Sequence, residues 1–145
     1  MSTLNDQYTR EIDRFWRDID SMYHELAVRL DLSDSSFDIL YALVRLGEGC
    51  TQKDIGNEVL LSKQTLNSSI HKLAKQGLLE LRSEGRTTQI FLTPQGRKVV
   101  KQKIHPVFDA ESCALETIGA HDANEFLRIL KAYQEALRST LEAVK

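Results

Sequence analysis

"SKQTLNSSIHKLAKQG", residues 62–77, is the stretch on which the reading of this chain turns. Leu66, Ile70 and Leu73 recur at the spacing of one buried helical face. The positions between them hold Lys63, Gln64, Thr65, Asn67, Ser68, His71, Lys72 and Lys75, without a single carboxylate. Ser, Thr, Asn and His form helices less readily than Glu, Lys or Ala. A solvated helix face of this length ordinarily mixes both signs, so that Glu and Lys pair one turn apart. Amides, hydroxyls and ammonium groups instead suit a nucleic-acid duplex. They can hold phosphates and read base edges, whereas carboxylates would be repelled. The alternative use of such short side chains is to hydrogen-bond their own helix or water. Ser62 is the expected N-cap, and Gly77 the residue that closes the helix in a left-handed conformation.

Upstream, Thr51 opens a short helix, and Asp54 makes an approximate capping box with it. Ile55 and Val59 form the buried side, and "LLSK" connects this helix tightly to the next as a helix-turn-helix. Before it, Ser33 or Asp34 caps a helix carrying Phe37, Leu40, Leu43 and Val44, which stops at Gly47 or Gly49. Earlier still, Tyr8, Ile12, Phe15, Ile19, Met22, Leu26 and Leu30 mark a long amphipathic helix, its stripe widened by Trp16 and Tyr23. Downstream, "LLELRSEGRTTQIFLT" changes period and predicts a β-hairpin, with extended runs near 78–83 and 88–92 around Glu84-Gly85. "TPQG" restarts a helix, Thr93 as N-cap and Pro94 in the first turn, running through Val99, Val100, Ile104, Phe108 and Leu115 toward Gly119 with a kink at Pro106. Asp122 with Glu125 is expected to open a last helix along Phe126, Leu130, Tyr133, Leu137, Leu141 and Val144. The fold class is mainly α with a small β-hairpin wing, α+β in organisation, built on a winged helix-turn-helix core.

The chain has 145 residues, 41% apolar and 28% charged, which fits one soluble globular domain. No run approaches the roughly 18 apolar residues of a membrane span, and no secretory signal is visible, so a cytoplasmic location is expected. Its net charge of −2 is unevenly divided. Residues 51–103 hold ten Lys/Arg against four Asp/Glu, or +6, and the remainder nine against seventeen, or −8. A basic middle in an acidic chain points to a polyanionic partner. Cys50 and Cys113 are too few for a disulfide framework, and His24, His71, His105 and His121 show no metal-ligand spacing. Neither a nucleophile constellation nor a phosphate-binding glycine loop is present, so no catalytic residue, metal or cofactor is expected.

In a helix-turn-helix, the second helix enters the major groove. Gln64, Thr65, Asn67 and Ser68 are therefore the candidates for base contact, with Lys63, His71 and Lys72 on phosphates or bases. Arg86 is the candidate for the minor groove beside it, and Arg82 a second candidate in the wing. Gln and Asn suit adenine, which favours an A·T-leaning site.

The segment from about 40 to 100, including "CTQKDIGNEVLLSKQTLNSSIHKLAKQGLLELRSEGRTTQIFLTPQGRKV", resembles the winged helix-turn-helix core of the MarR family of transcriptional regulators. The family's wing shows Asp-x-Arg ahead of Leu-Thr-x-x-Gly; here these are Glu84-Gly85-Arg86 and Leu92-Thr93-Pro94-Gln95-Gly96. Glu84 in place of Asp puts the usual carboxylate support of the wing arginine in question. The resemblance implies a single MarR-like domain over 1–145, a DNA-binding lobe at 35–100, and dimerisation helices at 1–32 and 101–145. It further implies a homodimeric repressor or activator on a pseudo-palindromic double-stranded operator, away from membranes. The near-heptad stripes at 8–30 and 126–144 agree with helices packing along one another. Family members sense small aromatic or lipophilic anions, and Trp16, Tyr23, Phe37, Tyr41 and Phe108 are the candidate lining, with plain core packing as the alternative. A metal- or redox-responsive regulator of the same fold, or a winged-helix module that binds protein rather than DNA, are the competing readings.

Overall fold

Side-chain caps set four of the helix starts in the computed structural model, which describes residues 3–145, with side chains from Asn5 onward. The chain divides into two units, the first ending at Ile104 and the second spanning His105–Lys145. In the first unit, α1 (Thr3–Arg29) is followed by α2 (Asp34–Leu46), α3 (Gln52–Glu58) and α4 (Lys63–Lys75). Strands β1 (Leu79–Glu84) and β2 (Thr87–Leu92) come next, then α5 (Pro94–Val99) and a π-helical turn, Val100–Ile104.

Ser33, rather than Asp34, caps α2, its hydroxyl accepting from the Ser36 amide. Thr51 and Asp54 complete both halves of the expected capping box of α3. Ser62 caps α4, and Thr93 caps α5 with Pro94 in the first turn. Gly77 takes the left-handed conformation after α4, and the Leu78 amide reaches back to the Leu73 carbonyl. Ile39, Leu40, Leu43, Ile55, Ile70, Leu73, Ile90 and Ile104 are the fully buried large side chains, so α2, α3, α4 and the hairpin share one core.

The hairpin is tighter than expected. Glu84 pairs with Thr87, leaving Gly85-Arg86 as a two-residue turn with Gly85 at positive φ. Leu79, Leu81, Ile90 and Leu92 lie on its inner face; Glu80, Arg82, Gln89 and Phe91 alternate with them on the outer face. The approach to α3 runs beside β2: the Gly49 amide donates to the Ile90 carbonyl, and the Ile90 amide to that of Cys50. The glycine of "TPQG" has a steric reason, since a Cβ on Gly96 would sit 2.0 Å from the Leu78 carbonyl oxygen.

Two further expectations change. Where Pro106 was expected to kink a continuous helix, the backbone takes a π-helical turn over Val100–Ile104. A proline lacks the N–H that would continue the ladder, and widening the preceding turn accommodates its ring. In the second unit, α6 (His105–Ile118) packs on α7 (Ala120–Glu142), and α7 starts earlier than expected. Gly119 is its N-cap and contributes no side-chain bond. Asp122 lies within the first turn, where it favours the helix dipole, and Glu125 pairs with Arg128 at 2.9 Å instead of reaching back.

Candidate nucleic-acid interface

Thr51 and Ser62 set where α3 and α4 begin, and burial of Leu66, Ser69, Ile70 and Leu73 turns the rest of α4 outward. Lys63, Gln64, Thr65, Asn67, Ser68, His71 and Lys72 are all exposed. Their free capacity differs. Thr65 Oγ1 accepts from the Ser62 hydroxyl at 2.8 Å, and Ser68 Oγ donates to the Thr65 carbonyl at 3.1 Å, as the self-bonding alternative foresaw. Asn67 Oδ1 accepts from Gln52 Nε2 at 3.2 Å. Ser69, on the inward side, donates to Ser35 on α2 at 2.8 Å and pins the rear of the helix.

Arg86 occupies the hairpin turn and is exposed. Among the described residues it forms no ion pair with Glu84, whose backbone carbonyl accepts from the Thr87 hydroxyl. Arg82 lies on the outer face with its guanidinium engaged. It pairs with Glu80 at 3.1 Å and stacks 4.1 Å over the Phe91 ring. The hydrogen bond and the charge of Arg82 hold the Glu80 carboxyl below its ordinary range.

The wing is tied down by Glu48, a residue the sequence did not single out. Its carboxylate accepts from the Leu92 amide at 2.8 Å and from Arg97 Nη2 at 3.1 Å, joining the α2–α3 turn, the end of β2 and α5. Partial desolvation pushes this carboxyl up, but the Leu92 amide and the Arg97 guanidinium together outweigh it, and the net direction is down. The link bridges positions 44 and 49 apart in sequence, so no local pattern announces it.

The profile of the MarR family matches residues 30–87, the span from the end of α1 to the wing turn. The structure of a MarR family regulator from Neisseria meningitidis is 26% identical, covers 100% of both chains and superposes with a TM-score of 0.78. The fold is a winged helix-turn-helix, and over this lobe the chain is similar to the MarR family. An uncharacterized HTH-type transcriptional regulator of Bacillus cereus is 25% identical over 91 residues, which are 63% of this chain and 61% of the relative. The chain thus matches less than two thirds of that relative's length. The PcaV transcriptional regulator from Streptomyces coelicolor, solved with its natural ligand, shares the fold at 20% identity and a TM-score of 0.63, over 85% of this chain and 91% of its own.

The aromatic candidates separate. Phe37 is buried, with the Tyr23 ring at 6.3 Å and the Tyr41 ring stacked at 5.9 Å. Trp16 is 44% exposed on α1, and Phe108 belongs to the second unit. A polar cleft of about 450 Å³ lies elsewhere, lined by Val28, Asp31, Leu32, Ser33, Ser36, Lys72 and Gln76. His24 pairs with Asp34 at 2.9 Å across the α1–α2 junction. Burial, then the nearby Asp54 charge, raises the Cys50 thiol, which disfavours the reactive thiolate. Among the described residues no three His, Cys, Asp or Glu converge on a metal position, and no helix is long and apolar enough to cross a membrane.

Proposed function

We propose that the chain is a non-enzymatic, sequence-specific regulator of transcription that binds double-stranded DNA as a homodimer in the cytoplasm. The single observation that carries this is the outward face of α4. It has no carboxylate, is exposed, and is presented beside a wing whose turn carries the exposed Arg86. In this reading α4 lies in the major groove, with Gln64 and Asn67 at base edges and Lys63, His71 and Lys72 near phosphates. Arg86 enters the adjacent minor groove, while Arg82, held by Glu80 and Phe91, braces the wing.

Dimerisation is supported by the apolar side chains that α1 and α7 leave in water. Phe15, Trp16, Ile19 and Met22 on α1, and Phe126, Ile129, Leu137 and Leu141 on α7, are all exposed. Monomeric proteins seldom leave patches of this kind open. A small aromatic or lipophilic anion is the effector class, in line with a structural relative solved with a natural ligand. The Tyr23–Phe37–Tyr41 cluster is where such a ligand would act, by favouring one spacing of the two lobes over the other.

Selection of bound duplexes from a random DNA pool, with the mass of the free protein measured in parallel, tests this. The expected result is a dimer that enriches a pseudo-palindrome with half-site centres about one helical turn, ~34 Å, apart. A monomer, or a pool left unenriched at low salt, overturns it.

A further inference from the structure

Gln64, Asn67 and His71 stand three and four residues apart and therefore share one face of α4. All are exposed, and among the described residues Gln64 and His71 form no hydrogen bond. Asn67 differs: its Oδ1 accepts from Gln52 Nε2 at 3.2 Å. Gln52 is well placed to hold it. It is the first residue of α3, directly after the Thr51 N-cap, and Thr51 is itself bridged to Gln89 of β2. The donor amide thus comes from a backbone anchored on two sides.

An unpinned asparagine amide is two-faced, because a half-turn about its last torsion exchanges oxygen and NH2 at small cost. Bidentate recognition of adenine uses both ends, the oxygen accepting from N6 and the NH2 donating to N7. With Oδ1 engaged by Gln52, the end left to face the groove is Nδ2 and its N–H groups. Those suit edges that present only acceptors (N7 and O6 of guanine, O4 of thymine), meet adenine at N7 alone beside its N6 donor, and oppose the N4 amino group of cytosine.

We propose that Gln52 is a positioning residue that holds Asn67 as a hydrogen-bond donor toward the major groove, so that one base in each half-site is read through an acceptor edge, guanine first. This deepens the DNA-binding reading and rests on it. It also replaces the adenine preference expected for a free asparagine at this position.

The test repeats the random-pool selection on the full chain for the wild type, Asn67→Ala, Gln52→Ala and Gln52→Glu, with a thermal melt of each. The wild type should favour an acceptor base at one half-site position by about fivefold or more, the lower end of what one good base contact supplies. Asn67→Ala should flatten that position. Gln52→Ala frees the amide, and discrimination between guanine and adenine there should fall to within about twofold, with other positions unchanged. Gln52→Glu is the sharper variant. Its carboxylate can only accept, so it draws the Asn67 NH2 inward and turns Oδ1 out, and the preference should invert toward cytosine or adenine. A purely structural role for Gln52 would not invert a base preference. Unchanged selection in both Gln52 variants, or a loss spread evenly over all positions, overturns the proposal while leaving DNA binding intact. A wild type that enriches nothing overturns the DNA-binding reading itself, and this proposal with it.

Discussion

Helices α4 and α7 are both amphipathic, yet they treat their apolar faces in opposite ways. α4 buries Leu66, Ile70 and Leu73 within its own unit, and α7 has no buried residue along its whole length. The first is a finished element whose polar face is the unusual one. The second has an ordinary charged face and an apolar stripe still in water, with Phe126, Leu127, Ile129 and Leu141 about half exposed or more. A helix of the first kind is stabilised by its own chain, whereas the second kind gains most of its stability from a surface that comes to it.

The largest effect expected from this contrast is in the lobe. Ile70 is fully buried, and Ile70→Ala should cost about 2–5 kcal/mol in denaturant titrations, by the same amount at every protein concentration. Leu141 is 59% exposed, and Leu141→Ala should have its effect through association, lowering the melting temperature most where dimer dissociation accompanies unfolding. Equal, concentration-independent losses in both variants would mean that α7 is already completed within one chain.

Next in size are the effects expected from the two kinds of DNA contact proposed above. Gln64→Ala should lose about 1–3 kcal/mol on the selected site and much less on random duplex, as measured by titration of labelled DNA. Arg86→Ala should weaken both together and make the salt dependence shallower by about one unit of slope, because a minor-groove or phosphate contact carries mostly charge. If Gln64→Ala lost the same on both duplexes, α4 would be holding the backbone rather than reading bases.

The same contrast explains what could be read from the residues alone. Spacing and caps are local, so α2, α3 and α4 were legible almost to the residue through Ser33, Thr51, Ser62 and Gly77. The start of α7 was misplaced because Asp122 and Glu125 fit a capping pattern, while the Arg128 guanidinium competes for Glu125. The hairpin turn slipped by one position since Glu84 extends β1 and Arg86, not Glu84, shares the turn with Gly85. At the candidate interface, exposure was legible from residue type and spacing, but orientation was not. Arg82, the second wing candidate, sits at a strand position that could face either side, and its guanidinium is held by Glu80 and Phe91. Glu48 and Gln52 act over long sequence separations, and no periodicity encodes a side chain that reaches across a turn.

Glu48 also gives the smallest and most specific prediction, because it joins the wing to the finished lobe rather than to α7. Its carboxyl is held below the ordinary range in the folded chain, so the link contributes fully above the unfolded glutamate value near ~4.3 and is lost as pH falls through the lowered folded value. Asp38 runs the other way. Burial first, and the Asp34 charge second, raise its carboxyl, so its ionisation opposes folding at neutral pH, an opposition that lifts as pH falls through the raised value. Glu48→Gln should therefore lower stability by less than about 1 kcal/mol at pH 7, as expected for a partly exposed pair, and the difference from wild type should shrink in acid. Asp38→Asn should raise stability at pH 7, and that gain should likewise shrink in acid. Melting curves of the two variants between pH 7 and pH 3 separate these signs. A Glu48→Gln deficit that persisted undiminished at pH 3 would mean that the wing is held by the shape of the Glu48 side chain and its neutral hydrogen bonds, and not by its charge.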